Sequence, residues 1–158
     1  MLEYVGFRRV MDGAVIEINT NIYPLHDFDP TVSERTVTDR DKMQAHGQWP
    51  TYSYRGGMDI HFEGDIFGDT SDDYWTNRLA LVAGIFGSPD AAITDRKLGD
   101  LIIELSGLTD RMQTEVCVTA WSAPIRGLYP STSEFAVTFH SWTPYFIGIS
   151  SGTKYYLS

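Results

Sequence analysis

The residues best suited to chemistry sit in the run GMDIHFEGDI, Gly57 to Ile66, where Asp59, His61, Glu63 and Asp65 alternate with apolar side chains. Two-residue spacing puts all four on one face of a strand, with same-face neighbours roughly 7 Å apart. Two of them can share a metal ion only if further ligands arrive from adjacent strands. His46 and His140 are imidazoles that folding could bring near, but the chain holds no second cluster with ligand spacing. We therefore read the four as a solvated sheet face and assign no metal, no cofactor and no catalytic residue.

Other candidate motifs have plainer explanations. Asp69–Asp73, DTSDD, looks like an acidic calcium loop but lacks the glycine and terminal glutamate of the EF-hand pattern, so helix capping accounts for it better. Gly56–Gly57 precedes a strand and not a helix, which makes it a tight turn or bulge and not a phosphate cradle. No G-x-S-x-G occurs, and His26, His46, His61 and His140 carry no partner motif. Cys117 is the only cysteine, which excludes an intrachain disulfide and a cysteine-built zinc cage; in its apolar-rich strand it reads as an inert, packed thiol. Trp49, Tyr52, Tyr54, Trp121, Tyr129 and Trp142 could stack on sugars or bases, but core or interface packing is the commoner use of such rings.

The elements that must position these residues follow from pattern. Met58, Ile60, Phe62 and Ile66 form the buried face of a central strand. Thr70 or Ser71 then caps a helix over about residues 71–86, with Asp72 and Asp73 in its first turn and Gly87 and Pro89 ending it. Its expected apolar stripe is Trp75, Leu79, Val82 and Phe86, widened by Leu81 and Ile85. Upstream, a turn at Asp12–Gly13 predicts a hairpin within Met1–Asn19. From Thr20 to Thr51 prolines and charges interrupt any period, predicting a long loop or arm with a short strand at Arg35–Thr38. Downstream, Leu101–Ser106 and Thr114–Trp121 make an antiparallel pair, Glu134–Trp142 a last long strand, and the tail one edge strand at most.

With 158 residues, 42% hydrophobic and 13% aromatic, the chain predicts a single domain over residues 1–158. The fold class is mainly β, an antiparallel β-sandwich or partial barrel with one packed α-helix. The net charge of −9 opposes binding to nucleic acid or to an anionic membrane, and no basic patch longer than Arg8–Arg9 offsets it. Neither a signal peptide nor a membrane span is legible in the sequence.

The order of these signals resembles that of tail proteins from long-tailed bacteriophages, and more narrowly the N-terminal, ring-forming domain of distal tail proteins and minor tail proteins. The likeness runs from about Thr38 to Phe146. It is carried by the charged lead-in with His46–Gly47, the glycine-bounded strand ending at Glu63–Gly64, the polar break and helix, and the closing step Thr143–Pro144–Tyr145–Phe146. Thr143 stands where that family often has aspartate, and no separate C-terminal carbohydrate-binding-like domain is recognisable.

The resemblance implies a non-enzymatic virion protein, made in the host cytoplasm, that forms a homohexameric ring at the tail tip. The ring would join the tail tube to hub and fibre or adhesin proteins, and DNA would pass through its lumen without specific binding, a passage that inward-facing acids would suit. Alternatives are a tail-tube or tail-terminator subunit, a carbohydrate-binding β-sandwich module, and a small metal-dependent enzyme using His61 and Glu63.

Overall fold

The structure, a computed structural model, describes residues 1–10, 12–37, 52–87 and 98–157, with the side chains of 33–37, 52–55 and 98 excepted. The strands in chain order are β1 (Leu2–Arg9), β2 (Val15–Ile18), β3 (Leu25–Val37), β4 (Tyr52–Phe67), β5 (Leu98–Leu105), β6 (Met112–Ser122), β7 (Thr132–Ser141), β8 (Phe146–Gly148) and β9 (Lys154–Tyr155). The single helix among the described residues, α1 (Ser71–Phe86), follows β4. All pairings are antiparallel in one sheet of order β2-β1-β5-β6-β7-β4-β3, with β8 and β9 attached beside β6.

That sheet is open at its edges yet strongly curled. β1 and β7 are separated by β5 and β6, a distance of about 14 Å in a flat sheet. The rings of Phe7 on β1 and Phe139 on β7 nevertheless stand 5.2 Å apart, and Phe139 continues to Phe62 at 6.0 Å. Only curling brings these rings together, so the concave face becomes the core. Val5, Met58, Ile60, Leu101, Ile103, Val116, Phe135 and Val137 fill it. The mainly β fold with one packed helix is thus as the sequence predicts, in its partial-barrel form.

The helix has the predicted limits. Thr70 is the N-cap and accepts a hydrogen bond from the Asp73 amide, while Gly87 ends the helix at φ 75°. The buried stripe is rotated from the expected one: Tyr74, Leu81 and Ile85 are buried, whereas Leu79 is 66% exposed. Amphipathic side chains explain the rotation. Tyr74 donates its hydroxyl hydrogen to Ser133 Oγ at 2.7 Å, and Arg78 reaches the Ala123 carbonyl at 2.6 Å, so both ride on the inward face. At the other end Gly84 lies so close to Ile16 of β2 that a Cβ would stand 2.6 Å from the isoleucine Cβ.

The largest departure is β3. Leu25–Val37 lies in the stretch read as a loop or arm, but it is a thirteen-residue strand. Among the described strands it is the edge of the sheet, where Pro30 needs no ladder partner on its outer side, so prolines and charges that argue against a central strand are tolerated. The remainder of the predicted arm, residues 38–51, with His46 and Trp49, lies outside the described residues. Gly56–Gly57 falls at a bulge within β4, where the register shifts between Val32 and Glu34 of β3. A Cβ on Gly57 would stand 2.6 Å from the Ser141 carbonyl oxygen.

Candidate functional site

The convex face of β3, β4 and β7 gathers most of the chemistry-bearing residues. Asp59, His61, Glu63 and Asp65 do share one face of β4, because Met58, Ile60, Phe62 and Ile66 are all fully buried on the other. Neighbouring strands add to the row. His140 of β7 sits opposite Asp59, with its Nδ1 2.6 Å from Asp59 Oδ1. His61 lies with Nε2 3.0 Å from Glu63 Oε1 and Nδ1 2.9 Å from Thr138 Oγ1 on β7. His26 approaches Asp65 at 3.9 Å.

The sequence reading missed Asp27, because it lies in the segment read as a loop. A bulge at His26 on β3 turns two consecutive side chains, His26 and Asp27, toward solvent and brings Asp27 opposite Glu63. Asp29 faces His61 and Glu134 of β7 faces Asp65 in the same way. No Lys or Arg forms an ion pair with any of these acids among the described residues. Arg126 lines the cavity that Asp65 and Glu134 share. One alternating run, visible in the sequence, supplies the middle of the patch, and an unread edge strand supplies its flank.

The other candidates resolve as follows. Asp69–Asp73 caps the helix, with Thr70 Oγ1 also 3.0 Å from Asp73 Oδ2. Cys117 is half-buried on the convex face opposite His140 and is not a core thiol. Trp121 packs against Phe86 and Phe135 at the core margin, whereas Trp142 is 56% and Tyr129 87% exposed. No helix among the described residues is long and apolar enough to cross a membrane.

Two further features are surfaces. β4 pairs with β7 from Met58 to Phe67, while among the described residues the ladder of its Tyr52–Arg55 end is with β3, so a two-stranded ribbon runs past the end of β7. At that same end Trp142 and Ile147 are exposed. At the opposite end of β7 the β6–β7 loop exposes Ile125, Leu128 and Tyr129.

No protein-family model and no curated protein matches the chain. Its fold, however, is similar to those of solved phage baseplate and hub proteins. It is similar to a chain of the phage P2 baseplate in its activated conformation, solved with Ca and with Sr, at a TM-score of 0.59 and 11% identity over 90% of this chain and 45% of that one. It is also similar to the SPP1 Dit protein, described as a paradigm of the hub adsorption apparatus of phages infecting Gram-positive hosts, at a TM-score of 0.55 and 13% identity. That match covers 92% of this chain and 53% of Dit, so the chain spans about half the length of these neighbours. The likeness to distal tail and minor tail proteins of long-tailed phages read from the sequence is thus matched by a fold shared with phage baseplate and Dit chains.

Proposed function

We propose that the protein is a structural, non-enzymatic subunit of a phage tail tip, assembling as a homohexameric ring that joins the tail tube to hub and fibre or adhesin proteins. The observation that carries this reading is the fold likeness to the P2 baseplate chain and SPP1 Dit over nine-tenths of the chain. The surface supports it. A head-to-tail ring needs two different patches on each subunit that fit one another and close by rotation. The exposed apolar side chains at the two ends of β7 are two such patches, about 30 Å apart for a ten-residue strand. The ribbon adds a third contact element, since a two-stranded hairpin is marginal in water without packing partners. The acids of β3, β4 and β7 suit a lumen wall past which DNA slides without adhering.

Native mass spectrometry of the purified protein tests the ring. A particle of six times the 17.8 kDa chain mass is expected. Replacing Leu128 and Tyr129 together by aspartate should return it to single subunits with unchanged circular dichroism. A wild-type protein that stays monomeric at high concentration would remove the ring from consideration. Locating the protein within tail particles separates a tail-tip ring from a tube or terminator subunit.

A further inference from the structure

We propose that Asp27, His61 and Glu63 form a binding site for one first-row divalent cation of the zinc or manganese class, which fastens the edge strand β3 to β4. The three side chains each offer one donor atom, and these atoms lie within 4.8 Å of one another. The 3.0 Å between His61 Nε2 and Glu63 Oε1 is near the spacing of two ligands on one ion with bonds of about 2.1 Å, about 3.0 Å at right angles and about 3.4 Å in a tetrahedron. Asp27 reaches from the neighbouring strand, which is what four donors on β4 alone lacked. Both carboxylates are on the surface, so small rotamer changes bring the third donor to bonding distance.

Two observations set this cluster apart from an ordinary acidic surface. First, Asp27 stands directly opposite Glu63 across the β3–β4 pair, where like charges destabilise a sheet. Among the described residues no Lys or Arg relieves that repulsion, Glu63 has only the His61 ring beside it, and the Asp27 side chain makes no hydrogen bond or ion pair, so a cation is the missing counter-charge. Second, the His61 ring is held from its far side by Thr138 Oγ1 on β7, which points Nε2 toward the carboxylates. Such an outer partner orients imidazole ligands in metal sites generally.

The charges that face the site from neighbouring positions, Asp29 on β3 and Asp59 and Asp65 on β4, raise the local cation concentration without joining the donor set. His140 and His26 turn toward Asp59 and Asp65 and lie outside it. One imidazole and two carboxylates suit a first-row ion that takes both nitrogen and oxygen; calcium, which takes oxygen, makes no use of His61. Water completes the coordination, and the bound charge of +2 offsets the two carboxylates.

The proposal asks nothing of the ring and holds equally for an isolated subunit, so the two stand or fall separately. Isothermal titration calorimetry of the full chain near neutral pH, with zinc, manganese and calcium chlorides, is the test. One saturable zinc or manganese site per chain is expected, with calcium at least tenfold weaker. His61→Ala and Asp27→Asn should each weaken that site at least tenfold, while His140→Ala leaves it intact. Should His61→Ala fail to fold, Asp27→Asn on the exposed edge strand decides alone. Absence of saturable zinc or manganese binding overturns the proposal. So does binding that Asp27→Asn leaves untouched or that His140→Ala abolishes.

Discussion

The convex face of the sheet carries charged side chains across its whole width, yet its two halves give their acids different partners. On the β1–β5–β6 side the counter-ions are arginines. Arg8 pairs with Asp100 at 2.7 Å, and Arg111 pairs with Glu104 at 2.8 Å while lying 4.2 Å over the Tyr4 ring. On the β3–β4–β7 side the partners are the imidazoles of His26, His61 and His140, and Asp27, Asp29 and Glu134 have no ion-pair partner among the described residues. A guanidinium is charged at every pH a protein meets, whereas an imidazole is charged only when protonated. One half of the face therefore pairs its acids with permanently charged guanidinium groups, and the other sets them beside imidazoles.

The largest break in this comparison comes from the core that joins the halves. Phe139→Ala removes the ring that meets Phe7 from one side and Phe62 from the other, and it should cost about 3–5 kcal/mol of stability by urea unfolding. Loss of that size in a curled sheet affects both halves together, so a variant that released only β3 would contradict the single-core description.

A second test sharpens the half paired by arginines. Asp110, between β5 and β6, accepts bonds from the Ser151 hydroxyl and from the amides of Ser150 and Ser151, and so holds the β8–β9 turn. The Ser151 hydroxyl first, then the Ser150 amide, keep the Asp110 carboxyl below its ordinary range. Its contribution is then complete above the usual carboxylate value of about 4 and is lost as pH falls through the lower folded-state value. The hydrogen bond from Arg9 lowers Asp12 in the same direction. Urea midpoints measured from pH 5 downward should fall, and Asp110→Asn should flatten that fall and speed amide exchange in the turn. An unchanged acid limb in the variant would assign the loss elsewhere.

The smallest effect compares one pair from each half. Arg8→Met and His140→Gln each remove an exposed or part-exposed pair worth about 0.2–1 kcal/mol. Each loss should stay within that range by the same unfolding assay and shrink as salt is raised. A loss well above that range in either variant would show that its pair is more than a surface contact.

These regions also differ in how much of them the sequence disclosed. The strand around Met58–Ile66 and the limits of α1 were legible because period, cap and terminating glycine agree locally. β3 was not, since an edge strand tolerates Pro30 and a bulge at His26, each of which reads as loop in isolation. That error concealed Asp27, and with it the third donor beside His61 and Glu63. The rotated helix stripe has a similar origin. Tyr74 and Arg78 are inward for the sake of Ser133 and the Ala123 carbonyl, partners that no periodicity contains.

Pro30 on the outermost strand has a further consequence. A free strand edge is a template on which a second chain can extend the ladder without limit, and one that holds a residue with no amide hydrogen, preceded by Asp27 and Asp29, is a poor one. Open-ended fibre growth from this edge is thereby disfavoured, and any joining of copies is left to side chains and loops, contacts that can saturate at a fixed number.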